Sequence, residues 1–124
     1  MLDADERLLI AAREAAAFGY APYSRICIGA AVRAGPMIYT GANVEIASFG
    51  CSMCAERIAI FNAVTAGAKQ INALAVARLN SRAQLPCGAC RQVMNEFGSG
   101  DAIVHVDGIG SFTFAQLLPF HDSP

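Results

Sequence analysis

Two stretches decide how this chain folds: CSMCAERIAIFNAV, Cys51 to Val64, and LPCGACRQVMNEF, Leu85 to Phe97. Each opens in turn-like residues and runs on into an apolar, helix-forming segment. Four of the chain's five cysteines sit in these two stretches. A helix N-terminus carries partial positive charge, which lowers a thiol's pKa toward the thiolate form that binds metal. Cys87 and Cys90 make a C-x-x-C pair at one helix start, and Cys54 stands at the other. Three sulfurs suit zinc, whose catalytic sites use three protein ligands and keep one position for water. Glu56 follows Cys54 by two positions, where a carboxylate can face the ion's open side without binding it and move protons there.

Other readings of the same residues stay open at this level. The C-x-x-C can be a redox pair, and the thiols can be ordinary buried cysteines. A structural four-thiol zinc site is a further reading, with Cys51 or Cys27 as fourth ligand. A glutamate in a first helical turn can also serve only to offset the helix dipole.

Outward from these stretches, the chain reads as alternating elements. Asp3, with Glu6 three residues on, starts a helix through LLIAAREAAAF that stops at Gly19. APYS, residues 21–24, is a turn. Residues 26–33 and 37–42 read as a hairpin around Gly35-Pro36. The loop NVEIASFGCSM leads to a helix that starts near Cys54 and ends at Gly67. Residues 71–79 form an apolar strand of the kind buried on both faces. The second cysteine stretch gives a helix to Phe97, with Gly98 as its stop. Residues 102–106 are another strand, and FTFAQLLP is a short last helix. This order predicts one mixed α/β sheet with helices on both faces. The 124 residues, without repeat or linker, predict a single domain over 1–124.

Composition narrows the function classes. The chain is 55% hydrophobic and only 15% charged, which points to surface buried against other subunits. No apolar run reaches the roughly 18 residues of a membrane span. The acidic start MLDADERLL is unlike a signal peptide, so a cytoplasmic protein is expected. Net charge is -1 and the nine basic residues are scattered, which speaks against nucleic acid and for a small, neutral partner. Five cysteines is an odd number, and a reducing compartment favours metal or catalytic use over disulfides.

Taken together, CAER and PCGACRQV resemble the zinc signature of the cytidine deaminase family, in its small three-cysteine form. APYS, IGAAV, YTGANVE, CAERIAIFNAV and LPCGACRQVMNEF follow in family order, over roughly residues 8–119. The resemblance implies a three-layer α/β/α fold with a mixed sheet of about five strands. It implies one zinc per chain on Cys54, Cys87 and Cys90, Glu56 as proton shuttle, and Arg57 hydrogen-bonded to ligand sulfurs. Three thiolates on a divalent ion leave a net negative centre, which a fixed guanidinium offsets. Asn43 and Glu45 match the family's N-x-E, which holds the ribose 3'-hydroxyl. Residues two apart on a strand end point the same way, and one can donate while the other accepts. Ala55 would offer its backbone N–H to the pyrimidine 2-carbonyl. Phe49 matches an aromatic that lines a neighbouring subunit's site, within a homotetramer whose active sites lie at subunit interfaces. The implied activity is hydrolytic deamination of cytidine and deoxycytidine, a step of pyrimidine salvage.

Three departures accompany the resemblance. Ile26 stands where the family usually has a Phe that stacks on the base, so an aliphatic wall is expected there. Phe120 follows Pro119 directly, whereas the family often places a Phe three residues on that reaches another subunit. Cys27 and Cys51 match no ligand position and are expected to be packed thiols. Rival readings are a same-fold deaminase of another aminopyrimidine nucleoside, a structural zinc module that binds a protein, and a polynucleotide editor.

Overall fold

Small side chains on the central strands let helices lie close on both faces of one sheet. The computed structural model describes residues 2–119. In chain order it has α1 (Ala4–Ala16), β1 (Ile28–Ala34), β2 (Met37–Ala42), α2 (Ala55–Thr65), β3 (Ile71–Arg78), α3 (Gly88–Phe97), β4 (Gly98–Val106), β5 (Gly110–Thr113) and α4 (Phe114–Leu117). The strands lie in the order β2-β1-β3-β4-β5. Only β3 and β4 run parallel; the other neighbours are antiparallel. This is the mixed, five-stranded, three-layer arrangement that the resemblance implied.

Alternation along the strands divides the core in two. On one face, Ala31, Ala73, Ala75 and Ala77 make a floor on which Leu8 and Ala12 of α1 rest, with both of these fully buried. On the other, Ala30, Val32, Leu74, Val76 and Val104 pack under Ala59, Ile60 and Ala63 of α2, Met94 of α3 and Leu117 of α4. Truncating a fully buried leucine such as Leu74 to alanine costs about 2–5 kcal/mol in cores of this kind. The β1–β2 hairpin turns through Gly35, whose φ of 60° lies in the left-handed region that favours glycine. Asp3 caps α1 as expected, its Oδ1 accepting from Glu6 N at 2.8 Å.

Three boundaries differ from the sequence reading. The strand expected at 102–106 begins at Gly98, because the chain leaves α3 directly into pairing with Ile71. Residues 110–113, half of them expected as helix, form edge strand β5 against β4. The last helix therefore starts at Phe114, where Thr113 and Gln116 make a reciprocal capping box. Phe120 lies outside the described residues.

Candidate metal centre and active site

Topology brings the two cysteine stretches together. β2 and β3 are both antiparallel to β1, so they run in the same direction. The helices that follow them, α2 and α3, therefore begin at the same end of the sheet, where open α/β sheets place their sites. Gly41 of β2 lets α2 settle closely: a Cβ there would lie 2.6 Å from Ala59 N and 2.8 Å from Ala55 O.

Cys54 is the N-cap of α2, Cys87 is the N-cap of α3, and Cys90 lies in the first turn of α3. Their three sulfurs all lie within 4.8 Å of one another. Cys54 and Cys87 are 3.8 Å apart and Cys87 and Cys90 are 3.4 Å apart. Tetrahedral zinc with Zn–S bonds of about 2.3 Å requires sulfurs about 3.8 Å apart, so this donor set fits the ion. Cys27 and Cys51 lie outside the cluster. The Cys27 thiol donates to Gly19 O at 3.6 Å. Cys51 is exposed in the 3-10 turn Phe49–Cys51 rather than packed. Among the described residues the sulfur cluster has three members, which speaks against the four-thiol structural reading.

The cluster holds negative charge even without metal. The Cys90 thiol hydrogen bond, followed by those from Arg57 and Cys87, pulls Cys54 down to about 5 against the effect of burial. Cys90 is pushed upward by the same Cys54 contact, then by burial and by Glu56. One proton thus serves the Cys54–Cys90 pair. Arg57 Nη2 donates to Cys54 Sγ at 3.4 Å, and its Nε is buried without a hydrogen-bond partner. The sulfur contact holds the guanidinium in its charged form. This is where the resemblance put Arg57.

Among the described residues Glu56 is the charged one that is buried, 6% exposed. Burial, reinforced by the Cys54 charge and opposed by Arg57, raises its pKa to about 7. A carboxyl that titrates near neutral pH can both accept and return a proton.

A cavity of about 630 Å³ opens above the cluster, and Cys54, Cys87, Glu56 and Ala55 are among its walls. Ala55 is the first residue of α2, so its N–H has no acceptor within the helix. Asn43 and Glu45 line the same cavity. Val44 between them bridges Met53 on one side, and on the other Tyr20 pairs with the backbone of Asn43 and Glu45. Asn43 braces the strand entry: Ile28 N donates to its Oδ1 at 2.9 Å, and its Nδ2 donates to Ile26 O at 2.8 Å. Glu45 Oε1 accepts from Tyr23 N at 3.1 Å and Ser24 N at 3.0 Å, and Oε2 accepts from Ser24 Oγ. The Ser24 hydroxyl leads the causes that hold the Glu45 carboxyl below the usual carboxylate range.

Each of these side chains keeps capacity for a ligand. A primary amide has two N–H donors and two acceptor lone pairs, and a carboxylate has about four acceptor sites. Asn43 therefore retains one donor, and Glu45 Oε2 retains one acceptor position. A hydroxyl group satisfies both at once.

Two expected residues sit differently. Phe49 lines the cavity from its rim and is 88% exposed in the single chain. Ile26 is half-buried and is not among the residues lining the cavity, whereas Ile28, two residues on, is. Sequence reasoning missed Ser24. The APYS motif that contains it was legible as a turn and as part of the family pattern, but without a role for its serine.

The comparisons with known proteins agree with this geometry. The family model "Cytidine and deoxycytidylate deaminase zinc-binding region" matches residues 2–106. The cytidine deaminase of Halalkalibacterium halodurans is 44% identical over 116 residues, covering 89% of this chain and 85% of that protein. A cytidine deaminase of Mycobacterium tuberculosis is 37% identical over 94 residues, covering 75% of this chain and 71% of that one. The crystal structure of cytidine deaminase from Burkholderia pseudomallei superposes with a TM-score of 0.89 at 36% identity, covering 97% of this chain and all 100% of that one. The structure from M. tuberculosis also gives 0.89, at 31% identity and with coverage of 99% and 100%. The family model spans most of the chain and the relatives cover it at 37–44% identity, so the chain belongs to the zinc-dependent cytidine and deoxycytidylate deaminase family.

Proposed function

We propose that this protein hydrolyses the 4-amino group of cytidine and deoxycytidine, giving uridine or deoxyuridine and ammonia. The observation that carries the reading is Glu56: a buried carboxyl with a pKa raised to about 7, beside three clustered sulfurs at a cavity wall.

Cys54, Cys87 and Cys90 hold the zinc, one per chain. Bound zinc supplies the Lewis acidity that makes water a nucleophile near neutral pH. Arg57 offsets the negative charge of the sulfurs by donating to Cys54. Glu56 takes a proton from the attacking water and places it on ring N3, which makes C4 electrophilic. The water oxygen adds to C4. Glu56 then carries the second proton to the amino group, and the C4–N bond breaks with release of ammonia. Water in and ammonia out balance the reaction. The Ala55 N–H orients the 2-carbonyl of the base. Asn43 donates to the sugar 3'-hydroxyl and Glu45 accepts from it.

The whole chain acts as one catalytic domain, in the cytoplasm, as a step of pyrimidine salvage. Among the described residues no helix is long and apolar enough to cross a membrane. The active form is a homotetramer with sites at subunit contacts. An 88% exposed Phe49 on the cavity rim, with Tyr23 of the same cavity also exposed, supports this. Light scattering at micromolar concentration tests it, and a monomer contradicts it. A second reading is action on a base-modified cytidine, since the cavity wall carries the aliphatic Ile28 and no aromatic ring from residues 26–28. Ammonia release from cytosine, cytidine, deoxycytidine and ring-substituted cytidines decides between them. Turnover confined to substituted cytidines would establish the second, and absence of turnover on every nucleoside would overturn both.

A further inference from the structure

The 21–28 segment enters β1 through an unusual backbone. Arg25 has a φ of 65°, in the left-handed region that residues with a Cβ rarely adopt. Its side chain is exposed, and its N–H donates to Ala21 O at 3.0 Å. The conformation brings Ser24 and Ile26 around one hydroxyl. Ser24 Oγ accepts from Ile26 N at 3.0 Å and donates to Glu45 Oε2. Its direction is unambiguous. The Ile26 N–H can only donate, so the hydroxyl accepts there, and an ionised carboxylate can only accept, so the single hydroxyl proton goes to Glu45. The backbone N–H of Ser24 holds the other carboxylate oxygen at 3.0 Å.

We infer that Ser24 is a positioning residue for sugar recognition, turning the Glu45 carboxylate so that one acceptor position on Oε2 faces the 3'-hydroxyl of the substrate. The inference rests on the proposed role of Glu45 toward the sugar. Oε1 already carries two N–H donors, so the sugar hydroxyl has Oε2 alone to address. Without the Ser24 hydroxyl, Oε2 has no protein donor, and the carboxylate keeps only its two main-chain contacts on Oε1, which leave Oε2 to be taken up by water. Charge-assisted hydrogen bonds are the strong ones, and a group set before binding has less ordering to lose on binding. Ser24 touches neither the zinc ligands nor Glu56 in any hydrogen bond, so chemistry at C4 is left as it was.

The test compares the zinc-loaded parent, Ser24→Ala and Ser24→Thr on two substrates, cytidine and 3'-deoxycytidine. The alanine variant should raise KM for cytidine by roughly ten- to hundredfold with kcat within about threefold. On 3'-deoxycytidine, which has no hydroxyl for Glu45 to meet, the parent and Ser24→Ala should have the same KM. Threonine keeps an Oγ and should restore most of the cytidine KM. A KM raised equally on both substrates would show a loop-folding role only and overturn the inference. So would an unchanged KM on cytidine, or a threonine variant as weak as the alanine one. If the parent itself treats the two substrates alike, the sugar role of Glu45 fails first, and that failure is visible before any Ser24 variant is measured.

Discussion

Val44 and Met53 exchange both of their backbone hydrogen bonds, Val44 N to Met53 O at 3.0 Å and Met53 N to Val44 O at 2.9 Å. Asn43 and Glu45 flank the first residue, and Cys54 follows the second. The proposed sugar contacts are thereby fastened to the start of α2 through main chain, on the wall of one cavity. Because backbone sets their separation, a side-chain substitution at one end changes its own chemistry and leaves the other end in place. Variants at the metal, the proton carrier and the sugar contacts can therefore be read separately.

Zinc should depend on Cys87 and be indifferent to Cys51. Cys87 stands 3.8 Å from Cys54 and 3.4 Å from Cys90, and its loss removes one of the three proposed ligands. Native mass spectrometry should find one zinc per parent chain and far less in Cys87→Ser. Cys51→Ser should retain the metal. Zinc retained at one per chain in Cys87→Ser, with activity intact, contradicts the ligand set.

Glu56→Gln should fold, keep zinc and lose nearly all turnover. The amide fills the same buried space but moves no protons. General acid–base groups typically contribute about 10²–10⁴-fold, and one carboxyl serving several transfers places the expected loss at the upper end or beyond. A variant within about tenfold of the parent in kcat would remove the shuttle role.

Chelation should uncover two opposing titrations. In the metal-free fold Cys54 sits near 5 against an ordinary 9. A depressed acid binds fewer protons when folded, so its contribution to stability grows as pH rises from about 5 to 9. Glu56 is raised from 4.5 to about 7, so its contribution is present below 4.5 and lost as pH rises through 7. Between pH 5 and 7 the slopes cancel; above 7 that of Cys54 leads, until near pH 9 the raised Cys90 begins to oppose it. Thermal melts of the stripped parent should be level from pH 5 to 7 and climb from 7 to 9. Melts of stripped Glu56→Gln should climb across the whole span. A stripped parent that loses stability between pH 7 and 9 refutes this assignment of charges.

What was legible in the sequence was what local spacing and charge can carry. The C-x-x-C pair, the two helix starts, the Asp3 cap and the β1–β2 hairpin are short-range patterns, and each is where the spacing placed it. Strand β5 was not legible, because four residues including Gly110 and Ser111 carry no period. Its successor α4 did have a signal, the Thr113-x-x-Gln116 capping box. Ser24 escaped because its partner Glu45 is 21 residues away, and its second contact, from Ile26 N, spans a left-handed Arg25 that no propensity favours. The aliphatic wall expected of Ile26 falls instead to Ile28, since the wall depends on how the 21–28 segment enters β1.

Sugar should be demanded far more strictly than any feature of the base. Asn43 already accepts from Ile28 N and donates to Ile26 O, and Glu45 already holds Tyr23 and Ser24, so neither side chain is free to turn away when a ligand lacks its hydroxyl. The spare donor of Asn43 and the spare acceptor of Glu45 then face the cavity unmet. Sites built to pair a substrate hydroxyl reject the deficient analogue by about 10⁴–10⁵-fold. Free cytosine should fall short of cytidine in kcat/KM by a factor of that order. Deoxycytidine keeps its 3'-hydroxyl and should be accepted. Glu45→Ala should erase most of the difference by weakening cytidine and leaving cytosine as poor as before. Were cytosine and cytidine processed alike by the parent, Asn43 and Glu45 would be braces for the 23–28 segment and nothing more.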